Sequence, residues 1–423
     1  MKILQINKTD AGGGSAVAAN RINRALRRNG VESKMLVQDL RRSEEGVYSV
    51  QDGLFSKVQS KVKAFQEEFY LIPHQRNSAA RHNFSVANKG VDIVNHSLVK
   101  EADVIHIHSV VGGFLSLKSL ESLLSCGKPI VWTQHDMWSF TGGCHFSGSC
   151  LEFLEGCSYC PFLRKPGKSD LAARLFANKK KMYDSSYLSV VSSSKWLCTL
   201  AQESKLLRRK KRFCIPNPID TNFYKPSDKA EARRKLGLVQ NKKYLLFGAD
   251  NACDPRKGMR YFIEALGILG ENFAYIQESV ELIVFGKISN QVLKQLPFKV
   301  NYFEYVDSPS KLVDLYNAAD CYVLPSLQVN LPNTIMESMA CGTPVVGFSI
   351  GGVPEMISHQ KSGYLAEMKN SLSLATGIYE MLFVADLDTL SSHARSKAVA
   401  SYSEDVVAQQ YIQMYKSLMM RNR

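Results

Sequence analysis

The stretch Pro325 to Phe348, PSLQVNLPNTIMESMACGTPVVGF, decides how the rest of the chain is read. Just before it, Cys321 to Leu324 is a short apolar run of the kind found in strands buried on both faces. Pro325 ends that strand, and the polar turn through Asn330 and Pro332 leads into a helix. Asn333 or Thr334 is placed to cap it, and Pro332 is compatible with its start because first-turn amides have no intrahelical partner. Gly342 and Pro344 stop the helix, and Val345 to Phe348 resumes a strand. Strand, turn and helix N-terminus together form an anion pocket, with amides and the positive end of the dipole pointing beyond the strand. Glu337 lies one turn further on, on the face of Asn333 and Thr334, where a carboxylate suits the paired hydroxyls of a sugar. Ile335, Met336, Met339 and Ala340 make the packing face. The stretch reads as a nucleotide-like site on an α/β domain; an ordinary crossover with a surface glutamate is the alternative.

The first half repeats this alternation of strand and helix. Strands are expected at Lys2–Asn7, Ser33–Val37, Asp103–His108, Pro129–Thr133, Leu188–Ser192 and Arg212–Ile215, with helices such as Ser15–Arg28, Leu115–Ser125 and Ser194–Ser204 between them. That order predicts a doubly wound parallel sheet. Ile215-Pro216-Asn217-Pro218-Ile219-Asp220 is the best domain boundary, after which Tyr244–Phe247 and Glu281–Phe285 open a second α/β series. Three domains follow: 1–215, 216–400, and a terminal amphipathic helix within 401–423 that needs a partner surface.

Several loops carry candidate chemistry. Gly12-Gly13-Gly14 follows the first strand but lacks the spacing of a dinucleotide loop and the lysine of a Walker motif. Its glycines mean close backbone approach, to a ligand or to a packed neighbour. His135, in Thr133-Gln134-His135-Asp136-Met137-Trp138, sits just past a strand's C-terminal end, where open α/β sheets place ligand-contacting groups. In the second half, Asp254-Pro255-Arg256-Lys257-Gly258 leads from a strand to a helix, and its two cations could neutralise a diphosphate. Gly351-Gly352 opens another helix.

Cys144, Cys150, Cys157 and Cys160 lie within 17 residues and include a C-x-x-C pair. In a cytoplasmic protein disulfides are disfavoured, so the cluster suggests a structural metal site, either tetrahedral zinc or an iron–sulfur cluster. Reduced buried thiols are the alternative, and the other six cysteines read as core.

The chain has 423 residues, 45% hydrophobic and 22% charged, which suits a soluble globular protein of two or three domains. MKILQIN lacks a signal peptide's apolar core, and no window is long and uncharged enough for a membrane helix, so a cytoplasmic location is expected. A net charge of +14 favours an anionic partner. Basic motifs interleaved with aromatics are absent, which argues against nucleic acid. The runs Lys179–Lys181 and Arg208–Arg212, taken singly, read as solvated faces. Residues 55–88 form an insertion where Lys57, Lys61 and Lys63 interleave with Val58, Val62, Phe65 and Phe69. It suits an anionic bilayer surface, or else a helix packed on the domain edge or lining an acceptor cleft.

Taken in order, GGGS, HDMW, PNPID, DPRKG and LPNTIMESMACGTPVV resemble the family-4 glycosyltransferases with the GT-B fold, over almost the whole chain. The HDMW-plus-cysteine form is similar to members from bacterial polysaccharide and lipopolysaccharide clusters. The resemblance implies two Rossmann-like domains facing an interdomain cleft and a retaining transfer from a nucleotide-sugar, a UDP- or GDP-sugar, to a glycan or lipid-linked acceptor; the basic faces and the 55–88 insertion suggest that this acceptor is carried on a lipid diphosphate at the inner membrane surface. It implies no cofactor for the chemistry. By position, Glu337 would hold the donor ribose, Arg256 and Lys257 the diphosphate, and His135 the donor sugar or leaving phosphate. Gly13 and Gly14 would sit against donor and acceptor, and Asn330, Asn333 and Thr334 would line the donor pocket. His135 and Glu337 are the catalytic candidates, and the terminal helix would cross back to the first domain. The family's E-x7-E pattern has its first acid where this chain has Val329, and an arginine common in the family is replaced by Ala249. A nucleotide-sugar epimerase and a catalytically silent nucleotide-binding relative are the competing readings.

Overall fold

In a computed structural model of the protein, the described residues are all but 51–53, 78–79, 81–82, 305, 307 and 421–423, and the side chains of 54–57, 250 and 274. They fall into two units, Met1–Pro218 with Val407–Arg423, and Ile219–Val406.

The first unit is built on a seven-stranded sheet of order β3-β2-β1-β4-β5-β6-β7. Its strands are β1 (Lys2–Thr9), β2 (Glu32–Asp39), β3 (Val47–Ser49), β4 (Val104–Ile107), β5 (Ile130–Gln134), β6 (Leu188–Ser192) and β7 (Lys211–Cys214). All neighbours pair in parallel, with Ile3 opposite Val104 and Gln5 opposite His106. Alternate side chains divide between the two faces, as strand geometry requires. Leu4, Ile6, Ile105, Ile107, Ile130 and Trp132 join the larger core cluster. Ile3, Val104, Val131 and Val191 pack instead with Tyr411, Met414, Tyr415 and Leu418 of the helix Glu404–Met419. That helix is therefore one of the covering layers of the first sheet.

The second unit holds a six-stranded parallel sheet of order β10-β9-β8-β11-β12-β13. The strands are β8 (Lys243–Asn251), β9 (Val280–Lys287), β10 (Val300–Phe303), β11 (Cys321–Leu324), β12 (Val345–Phe348) and β13 (Gly363–Ala366). Tyr244, Leu246, Tyr322 and Val345 face one cluster, and Leu245, Phe247, Val323, Val346 and Phe348 the other. In each sheet the strand order reverses once beside the first strand, between β1 and β4 and between β8 and β11. Ligands of open α/β sheets bind outside the C-terminal ends of the strands at such points.

Local details depart from expectation in instructive ways. Strands β3, β10 and β13 were not foreseen, because each is three or four residues long with half-exposed positions. The helix Asn333–Ala340 starts at Asn333 with Pro332 at the cap position and no side-chain cap, so neither Asn333 nor Thr334 serves as one. Its far end closes on Gly342, at φ 78°, with Thr343 N donating to Ser338 O (2.9 Å) and Gly342 N to Met339 O (3.0 Å). Arg395 adds a hydrogen bond from Nη1 to Ala340 O (2.7 Å). Lys179 belongs to no solvated face: it continues the stripe Leu171, Ala172, Leu175, Phe176 of the helix Leu171–Asp184 and is 0% exposed. The second basic run is partly spent on carbonyls, with Lys210 Nζ donating to Ser186 O (2.9 Å) and Arg212 Nη1 to Arg208 O (2.9 Å).

The insertion contains the helix Leu54–Leu71. Ser60, Glu67 and Leu71 face inward. Glu67 accepts from three amides, those of Val86 (3.0 Å), Ala87 (2.7 Å) and Gly113 (2.8 Å). Val58, Val62, Phe65, Phe69 and Ile72 form an outward stripe at helical spacing, with Phe65 66% and Phe69 65% exposed. The side chain of Lys57 lies outside the described residues. Among the described residues, no helix is long and apolar enough to cross a membrane.

Candidate functional site

In the first unit the candidates gather at the C-terminal edge of the sheet. After β1 the chain turns at Asp10, whose buried carboxylate accepts from Arg41 N and Arg42 N (2.7 Å each). Gly13 has φ 85° and ψ 152°, a conformation that only glycine adopts readily, and a Cβ there would meet nothing within 4 Å. The backbone is thus held open rather than packed shut. Gly14 begins the helix Gly14–Arg28, which has no side-chain cap.

His135 directly follows β5 and lines a cavity of about 20 Å³ with His108, Trp132, Asp136 and His145. Its acidic neighbour serves another ring: Asp136 Oδ2 bonds His145 Nδ1 (2.7 Å), while Oδ1 accepts from Trp138 N (2.8 Å). Burial raises the Asp136 carboxyl, but the charge and hydrogen bond of His145 outweigh it and hold the group low. Trp132 and Trp138 are both buried in the core cluster.

What orients His135 is a chain of side chains that sequence reasoning missed. His135 Nε2 meets His108 Nδ1 at 3.1 Å, and His108 Nε2 meets Gln5 Oε1 at 2.7 Å. Gln5 Nε2 donates to Tyr415 Oη (3.5 Å), which meets His106 Nδ1 at 2.6 Å. His106 Nε2 meets Thr133 Oγ1 at 2.7 Å, and Thr133 Oγ1 meets the Tyr411 hydroxyl at 3.2 Å. An amide oxygen only accepts, so His108 carries its proton on Nε2 and accepts at Nδ1. His135 therefore donates from Nε2, which leaves Nδ1 as its lone-pair nitrogen. These tautomers follow from the orientation of the Gln5 amide. Tyr415 Oη, which accepts from Gln5, also shares a hydrogen bond with His106 Nδ1, and His106 Nε2 shares one with Thr133 Oγ1. Burial keeps the rings neutral: it pushes His106 down to about 3, His108 well below the ordinary histidine value, and His135 down to about 4 despite an upward pull from Asp136. The available signal was the pair His106 and His108, two apart where β4 ends and therefore on one face of the extended chain.

In the second unit, two loops are held together by backbone approach. Gly258 has φ 69°, and a Cβ there would lie 1.8 Å from Pro325 O. Leu327 N donates to Arg256 O (2.7 Å). The loop after β8 and the loop after β11 thus form one rim. Behind it, Gly351 at φ 57° would place a Cβ 1.9 Å from Val329 O, and Gly352 N donates to Asn330 O (2.9 Å). Arg256 is engaged by Asp254, with Nη2 to Oδ2 at 2.6 Å and Nε to Oδ1 at 3.1 Å. Burial raises the Asp254 carboxyl, yet the Arg256 hydrogen bonds and charge bring it below the usual range. Lys257, Asn333 and Thr334 are half-buried nearby in the chain, and Asn330 is buried. Glu337 is only 6% exposed and accepts from the Tyr316 hydroxyl at 3.0 Å. The carboxylate expected to meet the sugar hydroxyls is therefore an interior one, not the surface glutamate of the alternative reading. Val329 packs against the apolar cluster of this unit.

The four cysteines of the cluster line one cavity of about 10 Å³. Among the described residues, no three His, Cys, Asp or Glu side chains already stand at the spacing of a bound ion.

The two parallel α/β units define a two-domain GT-B fold. It is shared with the sucrose-phosphate synthase of Thermosynechococcus elongatus (15% identity, all of both chains, TM-score 0.68). Anabaena HepE in complex with UDP-glucose is also similar (18% identity, 99% of this chain and 100% of that chain, TM-score 0.62). The chain belongs to the family 4 glycosyltransferases: residues 12–223 match Glycosyltransferase Family 4, and residues 242–383 match Glycosyl transferases group 1. Among curated relatives, the D-inositol 3-phosphate glycosyltransferase of Thermobispora bispora is 26% identical over 75% of this chain and 71% of its own. The colanic acid biosynthesis glycosyl transferase WcaC of Escherichia coli K12, itself a provisional assignment, is 25% identical over 74% and 76%.

Proposed function

We propose that this glycosyltransferase moves a sugar from a UDP-sugar to a glycan or lipid-diphosphate-linked acceptor in cell-surface polysaccharide synthesis, with retention at the anomeric carbon. The observation that supports the donor site is the joined rim of the second unit, where Gly258 lies against Pro325 O and Leu327 N donates to Arg256 O, so that the loop of Arg256 and Lys257 touches the loop that leads on to the helix Asn333–Ala340. A diphosphate there exchanges the Asp254–Arg256 pair for a phosphate–arginine pair, with Lys257 as a second cation and the helix dipole adding to both. Glu337, held by Tyr316, takes the ribose hydroxyls. Asn330, Asn333 and Thr334 line the donor pocket. His135, neutral and fixed in orientation, contacts the donor sugar or its leaving phosphate, and Gly13 with Gly14 gives the ligand backbone access. Among the described residues no side chain stands out as an enzymic nucleophile, and the front-face path that the family resemblance implies has the leaving diphosphate help deprotonate the acceptor hydroxyl. UDP is favoured because the solved HepE complex contains UDP-glucose, and a polysaccharide acceptor because WcaC is named for colanic acid synthesis.

A panel of UDP- and GDP-sugars in a thermal-shift assay tests the donor. A ligand present at about 100 times its Kd adds about 2.7 kcal/mol, a plain rise in Tm. No shift with any nucleotide-sugar argues against the donor site. NMR of the product's anomeric proton tests retention, and inversion would refute it.

The acceptor is met at an anionic bilayer surface, through the stripe Val58, Val62, Phe65, Phe69 and Ile72 with Lys61 on its flank. Sedimentation with anionic vesicles is expected for the parent and lost in a Phe65→Ser, Phe69→Ser variant. Equal binding to neutral vesicles counts against the charge component.

A further inference from the structure

The core of the first unit encloses the amine of a lysine. Lys179 is 0% exposed. Its ammonium lies 3.4 Å from the Trp138 ring centroid and donates to Trp138 O (2.5 Å) and Thr141 O (3.1 Å). Among the described residues it makes no ion pair. A buried cation is costly unless a negative group compensates it, and carbonyl dipoles and an indole face offset only part of that cost. Burial pushes the Lys179 ammonium down to about 7, and the groups that pull the other way are the thiols of Cys157 and Cys144, and then the Asp136 carboxylate, which is already committed to His145. Neutral thiols provide no countercharge. Thiolates on a metal do.

The backbone around the thiols is built as for a ligand. Cys157 and Tyr159 both have left-handed φ, 56° and 52°, within the Cys157-x-x-Cys160 segment, where neither position is a glycine. Such positions are costly and persist only where their surroundings over-determine them. Gly142 N donates to Cys157 Sγ at 3.0 Å, an amide directed at sulfur of the kind that stabilises a thiolate. Asp170 anchors the knuckle from behind: Oδ2 accepts from Cys160 N (2.9 Å) and Gly167 N (3.2 Å), while Oδ1 caps the helix that carries Lys179 (Ala173 N, 3.0 Å). Cys144, Cys150, Cys157 and Cys160 all line the one cavity, whose volume of about 10 Å³ is that of a single water-sized sphere.

We propose that Cys144, Cys150, Cys157 and Cys160 bind one zinc ion as tetrahedral thiolates, with Lys179 as the buried countercharge of the site. The four sulfurs are not at ion-binding spacing in this structure. A cysteine has one side-chain torsion, so gathering them on an ion takes rotations about Cα–Cβ bonds. On binding, four thiols release their protons to solvent and a dication enters, which leaves the zinc tetrathiolate at a net charge of −2 and Lys179 at +1 beside it. Four cysteines around one cavity match a single tetrahedral ion, the assignment that the iron and sulfide measurements below test. The role is structural: the ion ties the segment 141–170 to the helix Leu171–Asp184 and holds no reacting group.

The test is elemental analysis of the full chain, expressed with zinc added and purified without a polyhistidine tag. Expected are about one zinc per chain and little iron in the parent, with the zinc falling several-fold in Cys157→Ser. Cys321→Ser, a buried cysteine of the other unit, is expected to keep its zinc. Cobalt added to the metal-stripped parent reports the ligand set without a variant, because tetrahedral cobalt thiolate absorbs strongly in the visible. Lys179→Met is expected to weaken zinc retention against a chelator, a readout that general loss of packing in the unit does not mimic if the Tm of the metal-free form is unchanged. Less than about half an equivalent of zinc in the parent overturns the proposal. So does zinc unchanged in Cys157→Ser, or iron accompanied by acid-labile sulfide.

Discussion

The two units carry their candidate groups by different means. In the second, glycines let two loops touch, and the rim is a matter of backbone: Gly258 against Pro325 O, Gly351 against Val329 O. In the first, the sheet edge is left open at Gly13, and His135 is oriented by a relay of side chains that runs from Gln5 to Tyr415. A backbone rim fails when a Cβ is added. A side-chain relay fails when one proton donor is removed.

The sharpest way to break the rim is Gly258→Ala. The new Cβ lies 1.8 Å from a carbonyl oxygen on a left-handed backbone, so nothing flexible can yield. Loss of about 3 kcal/mol or more in the second unit is expected, with donor binding lost as well, measurable by denaturant unfolding and by thermal shift. Retention of full stability would mean that the two loops are not held as described.

The relay is broken more gently by Tyr415→Phe. His106 then loses its partner at Nδ1, and Gln5 loses an acceptor, which is expected to cost about 1–3 kcal/mol. If the relay orients His135, kcat falls about tenfold with KM little changed. A fall in stability with unchanged kcat would confine Tyr415 to packing.

Acid probes the same relay. The folded protein holds His106, His108 and His135 below the ordinary value of 6.5, so the unfolded chain binds more protons as pH falls. Their contribution to stability is complete above about pH 6.5 and declines as the pH drops toward the folded values. His145 with Asp136 and the hydroxyls of Tyr411 and Tyr415 face the same rings, and Asp136, held low, adds loss in the same direction at still lower pH. A scan of Tm against pH from 8 to 4 is expected to show the decline, weaker in His106→Asn.

Tyr316→Phe is the smallest of these changes. It removes one hydrogen bond to the interior carboxylate of Glu337, and about 1 kcal/mol and a modest rise in donor KM are expected.

The same contrast explains what could be read in the sequence. Buried parallel strands are continuous apolar runs, so Leu188–Ser192, Cys321–Leu324 and Val345–Phe348 were placed to the residue. β3, β10 and β13 are short and half-exposed, and their pairing is decided by neighbours far along the chain. The second unit's motif is local, and its glycines and cations were visible within a few residues of one another. The first unit's relay joins residues 5, 106, 108, 133, 135, 411 and 415. No window contains it, and Tyr411 and Tyr415 looked only like the buried stripe of a helix. Lys179 was misread for a related reason: a lysine in a basic run looks solvated until its helical phase is followed.

The helix Glu404–Met419 also bears on the order in which the protein assembles. The sheet face carrying Gln5, His106 and Thr133 is made early in translation, and the tyrosines that cover it come some three hundred residues later. Until residue 415 has cleared the ribosome, that face stands bare and its histidines can take up protons. The second unit, Ile219–Val406, is continuous in the chain. The nascent chain therefore completes its second half first, and the first half closes last.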